Sequence, residues 1–165
     1  MAAADLNEIR AALETHFLAG FGADITQESG NTLISESGLI LVTQSPEAGA
    51  TPLVFRNQAF EPTPGDSFVQ CLLTFGTSSY LTFGSAASGF NQINGSIEAN
   101  IFTPLSFGPG ANYDLASRVC TLYTREIIKG IQVEPPSGPS VATAAQPASF
   151  FQSTVTVPFR VYEEL

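Results

Sequence analysis

The run from Gly95 to Glu126 constrains this chain more than any other stretch. Ile97, Ala99 and Ile101 alternate with Ser96, Glu98, Asn100 and Phe102, the period of a strand with one buried face. Pro104, Gly108, Pro109 and Gly110 then stop the strand and turn the chain. Asn112 reads as the N-cap of a following helix, and Asp114 falls in its first turn, where a carboxylate suits the helix dipole. Leu115, Ala116, Val119, Cys120, Leu122 and Tyr123 recur at helical spacing as one wide apolar stripe. Arg125 and Lys129 fall near the expected helix end, which Gly130 can close. A strand, a Gly/Pro turn and a returning helix make a scaffold, and nothing in them points to catalysis.

Upstream, Asp5-Leu-Asn-Glu8 resembles a capping box, and Leu6, Ile9, Leu13 and Phe17 follow at three- and four-residue steps. The pattern predicts a helix over residues 5–19, ended by Gly20 and Gly22. Residues 24–52 read as an inserted excursion, a hairpin built around the strand-like Leu39–Thr43. Pro52–Arg56 is β-like. Ser67–Phe75 alternates cleanly, Gly76–Ser79 interrupts it, and Tyr80–Phe83 resumes, predicting a hairpin with Gln92–Thr103. Ile131–Val133 reads as a short strand, and residues 135–148, rich in Pro, Ala and Ser, as an extended loop or arm. Phe150–Tyr162 alternates to the end, with Pro158 expected at a strand end or sheet edge. The fold class is therefore α+β: one domain over residues 1–165, a largely antiparallel sheet with two amphipathic helices on one face and long extended loops.

Charge narrows the partners. Fifteen acidic against six basic side chains give a net charge of −9, and the six cations form no run. A phosphate-gripping nucleic-acid site needs clustered Lys or Arg, so none is expected. The acidity serves solubility or, beside DNA, lets the duplex pass without sticking. No window approaches the roughly 18 apolar residues of a membrane span, so no membrane partner is expected. Met1–Asp5 lacks a basic n-region and an apolar h-region, so no secretory signal is expected and the expectation is synthesis in the cytoplasm. Cys71 and Cys120 each sit in an apolar segment and read as free, buried thiols; a disulfide between them would require the strand and helix to face each other.

Every catalytic set is incomplete. His16 is the only histidine, inside the first helix, without a paired nucleophile or an orienting acid. One His and two distant Cys do not make a zinc site, and neither a metal nor another cofactor is expected. Gly65-Asp66-Ser67 resembles an esterase nucleophile block, but that chemistry needs a His downstream, and a turn before a strand accounts for it. Gly108-Pro109-Gly110 precedes a helix without a neighbouring cation, so it reads as a connection rather than an anion site. The residues thus read as a non-enzymatic domain. Thirteen Phe and four Tyr either fill both sheet faces or leave some aromatics for a partner subunit. The candidate contact residues are Phe83, Gly84, Gly89 and Phe90 around a Gly/Ser/Ala loop, and Pro135, Pro136, Pro139 and Pro147 in the arm.

Taken in order, several pieces resemble one family: the N-terminal helix, Asn57-Gln58-x-Phe60-x-Pro62-x-x-Gly65, and Gly95-x-Ile97-x-x-x-Ile101-Phe102-x-Pro104-x-x-x-Gly108. A helix carrying Leu115-Ala116 and a terminal strand with Val157-Pro158-Phe159 complete the set. The chain is similar to the tail terminator, or tail completion, proteins of long-tailed bacteriophages. That resemblance implies a structural virion protein whose subunits close into a homohexameric ring. The ring caps the tail tube, ends its polymerisation and offers the surface to which the head joins. Implied partners are further copies of the chain, the tail-tube protein and a head–tail connector or neck protein, with DNA passing through unbound. A tail-tube or connector subunit and a monomeric small-ligand-binding domain stay open as alternatives.

Overall fold

The computed structural model describes residues 5–21, 51–55, 60–62, 65–82, 89–142 and 149–164. Its elements run α1 (Leu6–Phe21), β1 (Leu53–Phe55), β2 (Phe68–Tyr80), β3 (Phe90–Pro104), a short 3-10 turn (Leu105–Phe107), α2 (Pro109–Tyr123), β4 (Ile127–Ile128), β5 (Ile131–Val133), β6 (Ser137–Val141) and β7 (Phe150–Glu164). The strands form one sheet in the order β1-β2-β3-β7-β5-β4, with β6 paired to β7. Among the described strands only β1 and β2 pair in parallel; the other pairs are antiparallel, so the fold is α+β as the pattern predicts.

Alternation dictates the layers. Ile97, Ala99 and Ile101 of β3, Val155, Val157 and Phe159 of β7, and Val69 and Cys71 of β2 share one face and one buried cluster with both helices. Ile9, Ala12, Leu13, Phe17 and Phe21 are the buried residues of α1, whereas Leu6, expected in that stripe, is half exposed. The opposite face carries a second, smaller core at one end, where Phe60, Phe68, Phe102, Phe150 and Val54 meet. There Phe68 and Phe102 stack with ring centroids 4.5 Å apart. The phenylalanines therefore serve both faces of the sheet. Beyond that cluster the far face turns polar in register, Gln70 beside Asn100 beside Thr154, and Thr154 Oγ1 donates to Asn100 Oδ1 at 2.6 Å.

Local chemistry departs from expectation at six places. Asp5 caps α1 through the Asn7 amide (2.8 Å), but Gly20 does not end that helix; it lies inside the last turn. A Cβ on Gly20 would collide with the Leu122 side chain, so glycine there permits close helix packing. The second departure is Asn112, which is not an N-cap: α2 starts a turn earlier at Pro109, whose fixed φ suits a first helical position. Third, α2 ends at Tyr123, short of Arg125 and Lys129. Gly130 closes no helix; with Lys129 (φ 49°, Gly130 φ 85°) it makes the two-residue turn joining β4 to β5, whose β-branched Ile127, Ile128 and Ile131 favour strand.

Fourth, part of the expected 135–148 loop is a strand: β6 pairs with β7 from Ser137↔Thr156 to Val141↔Ser153 across an irregularity at a cis Gly138–Pro139 peptide. Fifth, Pro158 is neither at a strand end nor at the sheet edge, but mid-strand in β7 opposite Ser96. Its carbonyl accepts from the Glu134 amide (2.8 Å), so its nitrogen faces the same way, toward the gap where β5 gives out and β6 begins. The reciprocal bond of that pair is the one a proline cannot donate, and the pairing with β5 stops there. β2 continues through the expected interruption at Gly76–Ser79, absorbing it as a bulge between Phe75 and Ser78. The proposed insertion lies outside the described residues except for Thr51 and Pro52, as do positions 83–88 and 143–148.

Candidate subunit interface

Two unlike surfaces flank the sheet. One is the far end of the β2–β3 hairpin, where the bulge reverses which side chains face out. Asn94 Nδ2 reaches the Thr77 carbonyl (3.2 Å) and holds the bulge. Beyond it, the Leu81 amide donates to the Phe90 carbonyl (2.8 Å) and the Phe90 amide to Thr82 Oγ1 (2.9 Å). These bonds fix an apolar tip: Tyr80 is 80% exposed, Leu81 49% and Phe90 46%. No charged side chain occurs from Leu72 to Thr82.

The other surface is a half-open groove of about 360 Å³ between the end of α2 and the chain leaving β5, lined by Cys120, Thr124, Arg125, Val133, Pro135 and Pro136. Thr124 Oγ1 donates to the Cys120 carbonyl (2.6 Å), which shapes the helix end. Arg125 adopts a left-handed φ of 61°, turning the chain sharply out of α2. The far wall is pinned by the Glu134–Pro158 backbone bond and by the Arg160–Glu134 ion pair. Among the described residues that line it Arg125 carries a charge, and the Arg160–Glu134 ion pair stands in the wall behind.

The buried chemistry is structural. Burial pushes the Cys71 thiol up to about 12, with Glu14 adding to the effect, so it is not a nucleophile at neutral pH. Burial also raises the Tyr123 hydroxyl, which donates to the Leu13 carbonyl (3.4 Å) and ties α2 to α1. Cys120 is raised by desolvation as well. Both cysteines are free. His16 Nε2 lies 3.2 Å from the Leu122 carbonyl and its ring 5.4 Å from that of Tyr123, a helix–helix contact. Among the described residues no cluster of His, Cys, Asp or Glu could hold a metal ion, and no helix is long and apolar enough to cross a membrane.

Of the residues singled out from the sequence, Gly89 and Phe90 fall at the apolar tip, and Pro135 and Pro136 line the groove. Pro139 is exposed on β6. Phe83, Gly84 and Pro147 lie outside the described residues. The tip and the prolines do not form one patch. Phe90 pairs with Glu164 at one end of β7, whereas the prolines stand on the other flank of β7, near Pro158. Tyr80, Leu81, Cys120 and Arg125 are not among the contact residues read from the sequence. The bulge inverts the β2 alternation, and the groove joins segments that share no sequence pattern.

No family model matches the sequence, and none of the curated proteins does. Solved structures do resemble it. One of them, known only by a sequence identifier, covers 98% of this chain and 96% of its own at 16% identity, with a TM-score of 0.57. That similarity is one of fold over nearly the whole chain, and at this identity it speaks to the fold alone.

Proposed function

We propose that this chain is the subunit of a closed ring, about hexameric, that caps a phage tail tube, ends its polymerisation and offers the head-joining surface. The observation that carries the reading is the pair of unlike apolar surfaces on opposite flanks of one sheet: the Tyr80–Leu81–Phe90 tip and the Arg125–Pro135–Pro136 groove. Unlike surfaces meet head to tail, and head-to-tail contacts that close by rotation make rings. The order of motifs that resembles tail terminators adds the particular ring. Its partners are further copies, the tail-tube protein and a neck or connector protein. A net charge of −9 suits a lumen through which DNA slides unbound, and the ring needs no catalytic residue or cofactor.

The same contacts favour one other reading, a tail-tube or connector subunit, if the rotation fails to close. Light scattering across concentration and salt separates them. A discrete species near six subunits supports the terminator. An assembly that grows with concentration supports a tube protein, and a strict monomer counts against both.

A further inference from the structure

We propose that Asn94–Gly95 is a self-modification site that the fold holds shut. The pair is inert while β7 is bonded to β3; a chain that has lost that pairing converts at position 94, and its isoaspartyl product no longer builds β3. The inference is independent of the ring reading. Asn94–Gly95 is the one Asn–Gly pair in the chain. Asparagine is chemically labile, and a following glycine leaves the next amide unshielded and free to swing. Two packing demands nevertheless fix this pair inside a central strand. A Cβ at Gly95 would meet the Phe159 ring and the Thr74 carbonyl, and Asn94 Nδ2 reaches the Thr77 carbonyl (3.2 Å) to hold the bulge of β2.

The reaction needs no co-reactant but water. The Gly95 amide nitrogen, its proton lost to solvent, attacks Cγ of Asn94. The new C–N bond closes a five-membered succinimide, the Cγ–Nδ2 bond breaks, and Nδ2 leaves as ammonia. Water then opens the ring at either carbonyl, giving an aspartyl residue or an isoaspartyl one whose main chain runs through Cβ and Cγ. The folded chain blocks the first step at both reacting atoms. The Pro158 carbonyl turns away from β3 to accept from the Glu134 amide (2.8 Å), so the next residue, Phe159, turns its own amide and carbonyl toward its partner Gly95. The attacking nitrogen is therefore engaged in the ladder, in the plane of the sheet. Asn94 stands off that plane with both ends of its carboxamide held: Nδ2 donates to Thr77, and Oδ1 accepts from Gln92 Nε2 (2.6 Å). β7, the last of the described strands, is thus the guard. The isoaspartyl product adds a backbone carbon ahead of Ile97, Ala99 and Ile101, and those buried side chains then fall out of register.

The full wild-type chain tests it. The protein is held in mildly alkaline buffer with and without denaturing guanidinium chloride, and samples are peptide-mapped by mass spectrometry at intervals. Aspartyl and isoaspartyl species should accumulate at position 94 at least about a hundredfold faster in denaturant, since the folded chain reacts only through its opened fraction. On removal of denaturant, the recovered circular dichroism should fall in step with the isoaspartyl content. N94Q, whose longer side chain must close a six-membered ring, should recover as well after the incubation as before it. Equal rates in folded and unfolded protein would show that the ladder guards nothing. Absence of conversion in denaturant, or isoaspartyl chains that regain the native spectrum, overturns the inference as well.

Discussion

The Ser153 hydroxyl of β7 donates to Oδ1 of Asn112, a side chain wholly buried within α2. The Asn112 amide nitrogen in turn reaches the Ile101 carbonyl (3.1 Å), Thr103 Oγ1 (3.4 Å) and the Phe151 carbonyl (3.4 Å). One amide thus joins the helix to both central strands, its two N–H groups shared among three acceptors and its oxygen taken by Ser153. Such a network in an apolar layer specifies how far α2 slides along the sheet.

Replacing Asn112 by Ala strands the Ser153 hydroxyl and the carbonyls turned toward it in a dry site. The expected loss is about 3 kcal/mol of folding free energy, read as a lower urea midpoint. N112D should fare no better at neutral pH, since it presents an oxygen where three acceptors converge.

Gly95 sits in the middle of β3 because nothing larger fits. A Cβ there would overlap the Phe159 ring and stand 2.8 Å from the Thr74 carbonyl oxygen. Phe159 is 2% exposed and cannot swing into solvent. G95A should cost about 2 kcal/mol through overpacking, and G95A/F159L should lose less than the two single changes added together, as a double-mutant cycle would show.

The β4–β5 turn leaves room for improvement. Lys129 holds φ 49°, a conformation a long side chain adopts at a cost and asparagine adopts readily. K129N should raise stability by about 0.5 kcal/mol, seen as a higher midpoint with an unchanged denaturant slope.

Alkaline pH should unfold the protein through its buried thiol. The Cys71 pKa rises on folding from an ordinary 9.0 to about 12, so the folded state favours the protonated form. That contribution is complete below pH 9 and is lost as pH climbs from 9 toward 12, because only the unfolded thiol ionises there; Tyr123, also raised, adds to the loss above its ordinary 10.0. Stability should fall by about 1.4 kcal/mol per pH unit for each such group, and C71A should flatten the lower part of the slope. A disulfide reagent at pH 8 should reach Cys120 in the native protein and both thiols in urea.

What the sequence made legible is periodic. The buried face of β3, the terminal strand and both helices follow from apolar spacing, since a face that must leave water repeats with the geometry of its element. What stayed hidden depends on long-range contact. Asn112 carries the same local signal as an N-cap, and only the strands passing over it make it a buried linchpin. Gly20 looks like a stop until Leu122 is brought against it. Pro158 looks like an edge residue until the opposing strands are seen to change partners beside it. The tip and groove were half legible: Phe90, Pro135 and Pro136 by composition, Tyr80 and Arg125 not at all, because a bulge and a left-handed turn decide where those two point.

The place of β7 in the sheet has a consequence for how the chain acquires its shape. β7 follows β3, β5 and β6 in chain order and is the strand to which all three are bonded. On the ribosome each of those partners emerges before the strand that will hold it, and the long β3 ladder closes only across the intervening helix and hairpins. Assembly of the sheet is therefore deferred to its final strand, with late, non-local pairing and a slow folding step. Until then the apolar faces of β3 and α2 stay open to other nascent chains, and the protein depends on that delay being short.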